Sequence, residues 1–178
     1  DLVTFDMGGT STDVCHYNGE LEKTNETEIA GVRISTPMIA LNTVAAGGGS
    51  ILNFDGSRFR VGPNSAGAKP GPACYKNSGP LTITDANLMI GKLQTDFFPA
   101  VFGKNSNEHI DKNIVQQEFK NLSSKIKSEY EKNISPEEIA SGFLDIAINN
   151  MSNAIKKISI ERGHNLREYA LCCFGGAA

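Results

Sequence analysis

No stretch of the sequence approaches the roughly 18 consecutive apolar residues that a membrane-spanning helix needs, so no membrane role is expected; no signal peptide is visible in it, which says nothing of the parent's own N-terminus. Positive charge is also scarce. The formal net charge is −3 and the pI is near 5.6, which argues against an extended nucleic-acid surface, because phosphate neutralisation needs clustered Lys and Arg. The lysines gathered between Lys120 and Lys132 alternate with acidic and polar residues and read as a solvated helix face. Cys15, Cys74, Cys172 and Cys173 lack the paired spacings of a zinc site or a redox motif. Cys172 and Cys173 lie in an apolar run, where free cysteine acts as a small buried hydrophobe, and a reducing, cytoplasmic setting is expected. His16, His109 and His164 show no ligand spacing. Internal repeats and low-complexity tracts are missing too.

What is present is an ordinary globular composition, 39% hydrophobic and 21% charged over 178 residues, enough for one domain with its own core. The chain begins inside an apolar run without Met and stops just after a glycine pair, so it is expected to be a piece of a longer polypeptide. The reading is a single α/β domain in three parts. Residues 1–97 are rich in strands and loops, 98–110 connect, and 111–178 are helical and end in a strand.

Leu2 to Phe5 is a short apolar run turned by "GGTST", and Asn18-Gly19 gives a hairpin signal. Phe54 and Phe59 flank the turn-forming "DGS" and predict a second hairpin. Residues 64–80, "NSAGAKPGPACYKNSGP", are too broken by Gly and Pro for a helix or a strand interior. Their few charges and their Ala66, Ala68, Ala73 and Tyr75 predict an ordered loop folded against the body, and such loops often carry function. In "LTITDANLMIGKL" a strand through Ile83 is expected, then a short helix capped by Thr84 or Asp85 and ending near Gly91. Ile114, Val115, Phe119, Leu122, Ile126 and Tyr130 recur at helical spacing. Ser135, Pro136 and Glu138 announce another helix, whose apolar stripe (Ile139, Phe143, Ile146, Ala147, Ala154, Ile155, Ile158) runs toward Gly163. "EYALCCF" reads as a buried strand entering Gly175-Gly176.

Two ends of the chain carry chemistry. In "DMGGTSTD", Gly8 and Gly9 let the backbone turn tightly and present amides, while Thr10, Ser11 and Thr12 add hydroxyls. Asp6 and Asp13 bracket the turn, and carboxylates beside a phosphate make sense when a divalent cation stands between them. The plainer alternative is a hairpin whose Gly and Thr serve turn geometry alone. Gly175 and Gly176, at the end of a strand, let a nucleotide lie against the backbone. Residues 45–50, "AAGGGS", form either a phosphate-facing or oxyanion-type turn or a flexible bend. Asp85 is a candidate base, or a carboxylate that supports the site from behind, and helix capping explains it as well. Cys74 has no His near it in sequence to activate it as a nucleophile.

Taken together, "FDMGGTSTDV", "NTVAAGGGSI", "VGPNSAGAKPGPACY", "GPLTITDANLMIGKL" and "ERGHNLREYALCCFGGA" resemble the core of the hydantoinase A and 5-oxoprolinase family. They stand in order and span nearly the whole chain, 104–135 being the least telling part. "NTVAAGGGS" and "DFFPAVFG" look most like ATP-hydrolysing 5-oxoprolinase. The resemblance implies an actin-like, sugar-kinase and heat-shock type ATPase half-domain with a mixed sheet and packed helices. It implies ATP-dependent opening of the lactam 5-oxo-L-proline to L-glutamate, with ATP and magnesium as cofactors. By similarity, Gly8, Gly9, Thr10, Ser11 and Thr12 would hold phosphate, and Asp6 and Asp13 a magnesium ion through water. Gly175 and Gly176 would pack on the adenosine, Asn42, Gly47, Gly48, Gly49 and Ser50 would face substrate, and Asp85 would join Asp6 and Asp13 as a catalytic carboxylate. The partners implied are the remainder of the parent chain, with the first phosphate motif and a second catalytic half, and a homo-oligomeric parent. Many hydantoinase-type members have His where this chain has Asn42 and Asp where it has Ala40, which predicts no tightly held transition metal there. The alternatives are a hydantoinase or ketone-carboxylase subunit, and a nucleotide-gated interaction module of the heat-shock or actin type.

Overall fold

A computed structural model describes residues 1–29 and 31–177, with the side chains of Glu28, Ile29, Ile158 and Glu161 outside the described set. Its main sheet has the order β5-β2-β1-β8, formed by Leu41–Val44 (β5), Thr12–Tyr17 (β2), Leu2–Met7 (β1) and Ala170–Phe174 (β8). β1 runs antiparallel to β2 and parallel to β8, so the sheet is mixed. Period-two alternation sends Val3, Phe5 and Met7 of β1 and Thr12, Val14 and His16 of β2 to one buried face. That face is covered by the helix Pro136–Ser159 (α3), which packs on β2 and β5, and the helices Ile83–Met89 (α1) and Lys112–Tyr130 (α2) pack in turn on α3. Phe119, Ile126, Ile139 and Phe143 are fully buried in this core. Two ribbons lie apart from the main sheet, one of Lys23–Ile29 (β3) with Val32–Ile39 (β4), the other of Ser50–Phe54 (β6) with Phe59–Ser65 (β7).

Several expectations hold. Phe54 and Phe59 are register partners at the β6–β7 turn, their rings 5.1 Å apart. Ser135 caps α3, with Pro136 at its start and Glu138 closing a capping box at 2.8 Å from the Ser135 amide. The loop after β7 is ordered against the body: Ala66 and Ala73 are buried, Tyr75 is half-buried and Ala68 is exposed. The apolar stripe of α3 is buried at Ile139, Phe143, Ala147 and Ala154; the side chain of Ile158 lies outside the described residues.

Three expectations need correction. Asn18-Gly19 makes a turn closed by a single Tyr17–Leu21 bridge, while β2 pairs with β1 and β5 and β3 pairs with β4. No strand runs through Ile83: one bridge joins Ile51 to Thr82, and the helix begins at Ile83 with Thr82 as its cap. The cap falls two residues earlier than Thr84 because the Asp85 carboxylate accepts from both the Thr82 amide and its hydroxyl, at 2.8 and 2.9 Å. Cys172 and Cys173 are exposed, as is every residue of β8: they point to opposite faces of the strand, and neither face is covered.

Candidate functional site

Three glycine turns meet at one end of the main sheet. The first joins β1 to β2 and is closed by the Gly8 amide donating to the Ser11 carbonyl at 2.9 Å. Gly9 and Thr10 at its tip are exposed, and among the described residues their amides have no backbone acceptor. The second, 45–50, is pressed onto the first: the amides of Gly48 and Gly49 donate to the carbonyls of Gly8 and Gly9 at 3.1 and 2.6 Å. Only glycine permits this approach, since a methyl group at position 47 would stand 2.5 Å from the Gly8 carbonyl oxygen. The third is Gly175-Gly176, docked on β1 by the Ala177 amide donating to the Met7 carbonyl at 2.9 Å. Gly175 has φ +107°, and a methyl there would lie 2.5 Å from an Asp6 carboxylate oxygen.

These turns frame a cavity of about 540 Å³, within the range of roughly 300–1,000 Å³ typical of small-molecule sites. Gly9, Thr10, Gly48, Gly49 and Gly176 line one end. Tyr75, Leu93 and Phe98 line the other, and Thr84 and Asn87 of α1 stand between the two, Thr84 beside Gly48 and Asn87 beside Leu93. The Thr84 amide and hydroxyl both donate to the Gly48 carbonyl at 2.9 Å, which ties α1 to the second turn.

Asp6 and Asp13 are direct partners in the β1–β2 register and share the sheet face opposite the core. The Thr43 hydroxyl donates to Asp13 at 2.5 Å, and Asp6 borders the Gly175 turn. Two facing carboxylates repel unless a cation offsets them, and hard oxygen donors suit magnesium. The residues present therefore fit that ion.

Other sequence candidates sit elsewhere. Thr12 is fully buried and its hydroxyl donates to the Ala46 carbonyl at 2.5 Å, so it braces the second turn and does not reach a phosphate. Ser50 is fully buried with its hydroxyl oxygen accepting from the Gly47 amide at 2.9 Å, and Gly47 itself packs on Gly8 and Gly9. Asn42 lies opposite Val14 on the core-facing side of β5, and its amide donates to the Ala154 carbonyl of α3 at 3.1 Å, away from the cavity. Asp85 is no catalytic group in this arrangement. Fully buried, it accepts from the Cys74 and Ala73 amides at 2.8 and 3.1 Å and from Thr82, fastening the Gly/Pro-rich loop to α1. Burial pushes its carboxyl pKa up against the downward pull of those bonds. Burial, with Asp85 beside it, also pushes the Cys74 thiol far above its ordinary value, which removes it as a nucleophile.

Sequence reasoning missed Tyr75, Leu93 and Phe98 as cleft residues, and Thr84 and Asn87 as well. A signal existed for the last two. Once Ile83, Ala86, Leu88 and Met89 take the buried face of α1, Thr84 and Asn87 remain one turn apart on its open side.

A family model described as "Hydantoinase/oxoprolinase" matches residues 1–178. The chain is 47% identical to 5-oxoprolinase 1 of Arabidopsis thaliana over 182 residues, which covers 99% of this chain and 14% of that protein. Among solved structures it resembles the ATP-dependent caprolactamase of Pseudomonas jessenii, with a TM-score of 0.81, 35% identity and coverage of 98% of this chain and 24% of that one. A nucleotide-free acetone carboxylase gives a TM-score of 0.79 at 26% identity, again over 98% of this chain and 24% of the other. The chain thus spans about a seventh of the relative's length, 14%.

Proposed function

The chain belongs to the hydantoinase/oxoprolinase family, and on that premise we propose that it forms half of the nucleotide site of an ATP-dependent 5-oxoprolinase. The observation that carries this reading is the meeting of three glycine turns around one cavity, with unpaired amides at Gly9 and Thr10, and with the Asp6–Asp13 pair on the adjoining strands, Asp6 beside the Gly175 turn. Backbone amides at a tight glycine turn bind phosphate oxygens. Asp6 and Asp13 would hold magnesium, which when bound offsets charge on the transferring phosphoryl group.

A lactam resists hydrolysis through amide resonance. Transfer of the terminal phosphoryl group of ATP to the lactam oxygen makes the ring carbon strongly electrophilic. Water then adds to that carbon and the ring C–N bond breaks, the nitrogen taking up a proton to become the amine; the γ-carboxyl is left as an acyl phosphate, which a second water hydrolyses to phosphate and L-glutamate. The amides of Gly9 and Thr10 position the phosphate, and the second and third turns hold the first one rigid. The rest of the parent chain supplies the remaining phosphate contacts and the hydrolytic half. Exposed free thiols at Cys172 and Cys173 fit a reducing, cytoplasmic setting.

Steady-state ATP hydrolysis by the full-length parent tests this reading. ADP release is expected to depend on 5-oxoproline and to match glutamate formation one for one. Stimulation by caprolactam or a hydantoin in its place would assign the chain to another branch of the family. ADP release without any cyclic amide would favour a nucleotide-gated interaction module.

A further inference from the structure

The cavity has two chemically different ends. Glycine amides and the Thr10 hydroxyl mark one; Tyr75, Leu93 and Phe98 close the other with aromatic and aliphatic surface. Of the two α1 side chains between them, the Thr84 hydroxyl is engaged by the Gly48 carbonyl at 2.9 Å. That leaves Asn87, whose planar amide offers both a donor and an acceptor to a ligand at the apolar end.

Among the described residues, no Lys, Arg, His, Asp or Glu lines this cavity. The lining residues of this chain offer a lactam's carboxylate no counter-charge. A neutral, planar heterocycle fits better. Nucleobases stack on aromatic side chains, and an Asn amide pairs bidentately with the amino group and adjacent ring nitrogen of adenine. A second groove, about 790 Å³ beside Lys76, Glu108 and Asp111, offers less, because Lys76 already pairs with Glu108 and Asp111 at 2.5 and 3.8 Å.

We infer that the end of the cleft bounded by Tyr75, Leu93 and Phe98 is the nucleobase subsite, and that Asn87 reads the adenine edge and selects ATP among nucleoside triphosphates. This rests on the nucleotide reading of the cleft. The Asn87 backbone carbonyl accepts from the Lys92 and Leu93 amides, a contact that side-chain replacement leaves in place.

The test uses the full-length protein and its Asn87→Leu and Asn87→Asp variants, each checked for an unchanged thermal melt. Binding of ATP, GTP and inorganic tripolyphosphate is measured by titration calorimetry, and the KM for 5-oxoproline at saturating ATP. In Asn87→Leu, ATP is expected to bind roughly ten- to a hundredfold more weakly, with tripolyphosphate and the 5-oxoproline KM unchanged. Asn87→Asp is expected to shift preference toward GTP, whose ring N–H and amino group suit a carboxylate acceptor. Should Asn87→Leu melt early, Asn87→Asp alone decides. Equal loss of ATP and tripolyphosphate, or undiminished ATP binding, overturns the inference. A raised 5-oxoproline KM with normal ATP binding assigns Asn87 to the lactam. Failure of the unaltered protein to bind any nucleotide is a separate result, and it overturns the nucleotide reading of the cleft itself.

Discussion

Asp6 and Asp13 face each other across the β1–β2 ladder as direct register partners, and the Thr43 hydroxyl donates to Asp13 from the next strand. Such a pair stabilises nothing by itself, because like charges directly opposite in a sheet repel. Replacing either carboxylate with Ala is therefore expected to leave the melting temperature of the full-length protein unchanged or slightly higher. Turnover should fall steeply, by about 3 kcal/mol or more in the barrier, if a phosphate-bound cation is lost. Loss of fold in Asp13→Ala, or near-normal activity, would count against the assignment.

Glycines at the site divide into those the fold needs and one, Gly9, that the proposed nucleotide would need. Gly47→Ala would force a methyl to within 2.5 Å of the Gly8 carbonyl oxygen, so urea unfolding is expected to show a loss of about 1–3 kcal/mol or more. Gly9→Ala meets nothing within 4 Å in the protein. Its stability should stay near the original while nucleotide affinity drops, because the methyl stands where the cavity opens. Retained ATP affinity in Gly9→Ala would show that the first turn does not touch phosphate.

Asp85 tests the difference between a strut and a catalyst. Asp85→Ala strands the Cys74 and Thr82 amides without their buried acceptor, and is expected to cost about 3 kcal/mol of stability. Chemical denaturation reads this directly. Intact stability with abolished turnover would return Asp85 to the catalytic set.

His16 predicts a dependence of stability on pH. It is 1% exposed, its Nε2 has no hydrogen-bond partner, and its ring stacks on His164 at 4.0 Å with Tyr169 at 4.2 Å. Burial first, then the neighbouring His164, holds its pKa below the ordinary value of about 6.5. The unfolded chain thus takes up this proton before the folded one does, and stability falls as pH drops below about 6.5. Glu22, which contacts His164 and pairs with Arg162 at 2.6 Å, offsets part of this effect. Thermal melts between pH 7.5 and 5 are expected to show the decline, and His16→Phe to flatten it. An unchanged slope in that variant would place the cause elsewhere.

The elements with strong local causes were legible in the sequence. Ser135, Pro136 and Glu138 define the start of α3 because capping is a contact among neighbours in the chain, and Phe54 and Phe59 close their turn for the same reason. The apolar periodicity of α2 and α3 likewise announced Val115, Phe119, Ile126, Ile139 and Phe143 as core. The glycine turns could be named from sequence as backbone turns. Their mutual packing could not be, since Gly49 meets Gly9, and Gly175 meets Asp6, across long intervals of chain.

Side-chain direction was decided by tertiary structure alone. Asn42, Ser50, Thr12 and Asp85 all have the chemistry of site residues, yet each turns to a partner inside the protein: Ala154, Gly47, Ala46, or Cys74 with Thr82. Asn87, without a motif of its own, is left open at the cleft. By itself the sequence determined which backbone turns and helices could form and the family to which the chain belongs. Only the packed fold decided which polar groups remained for a ligand, because a buried donor or acceptor takes whatever partner the neighbouring element brings within reach.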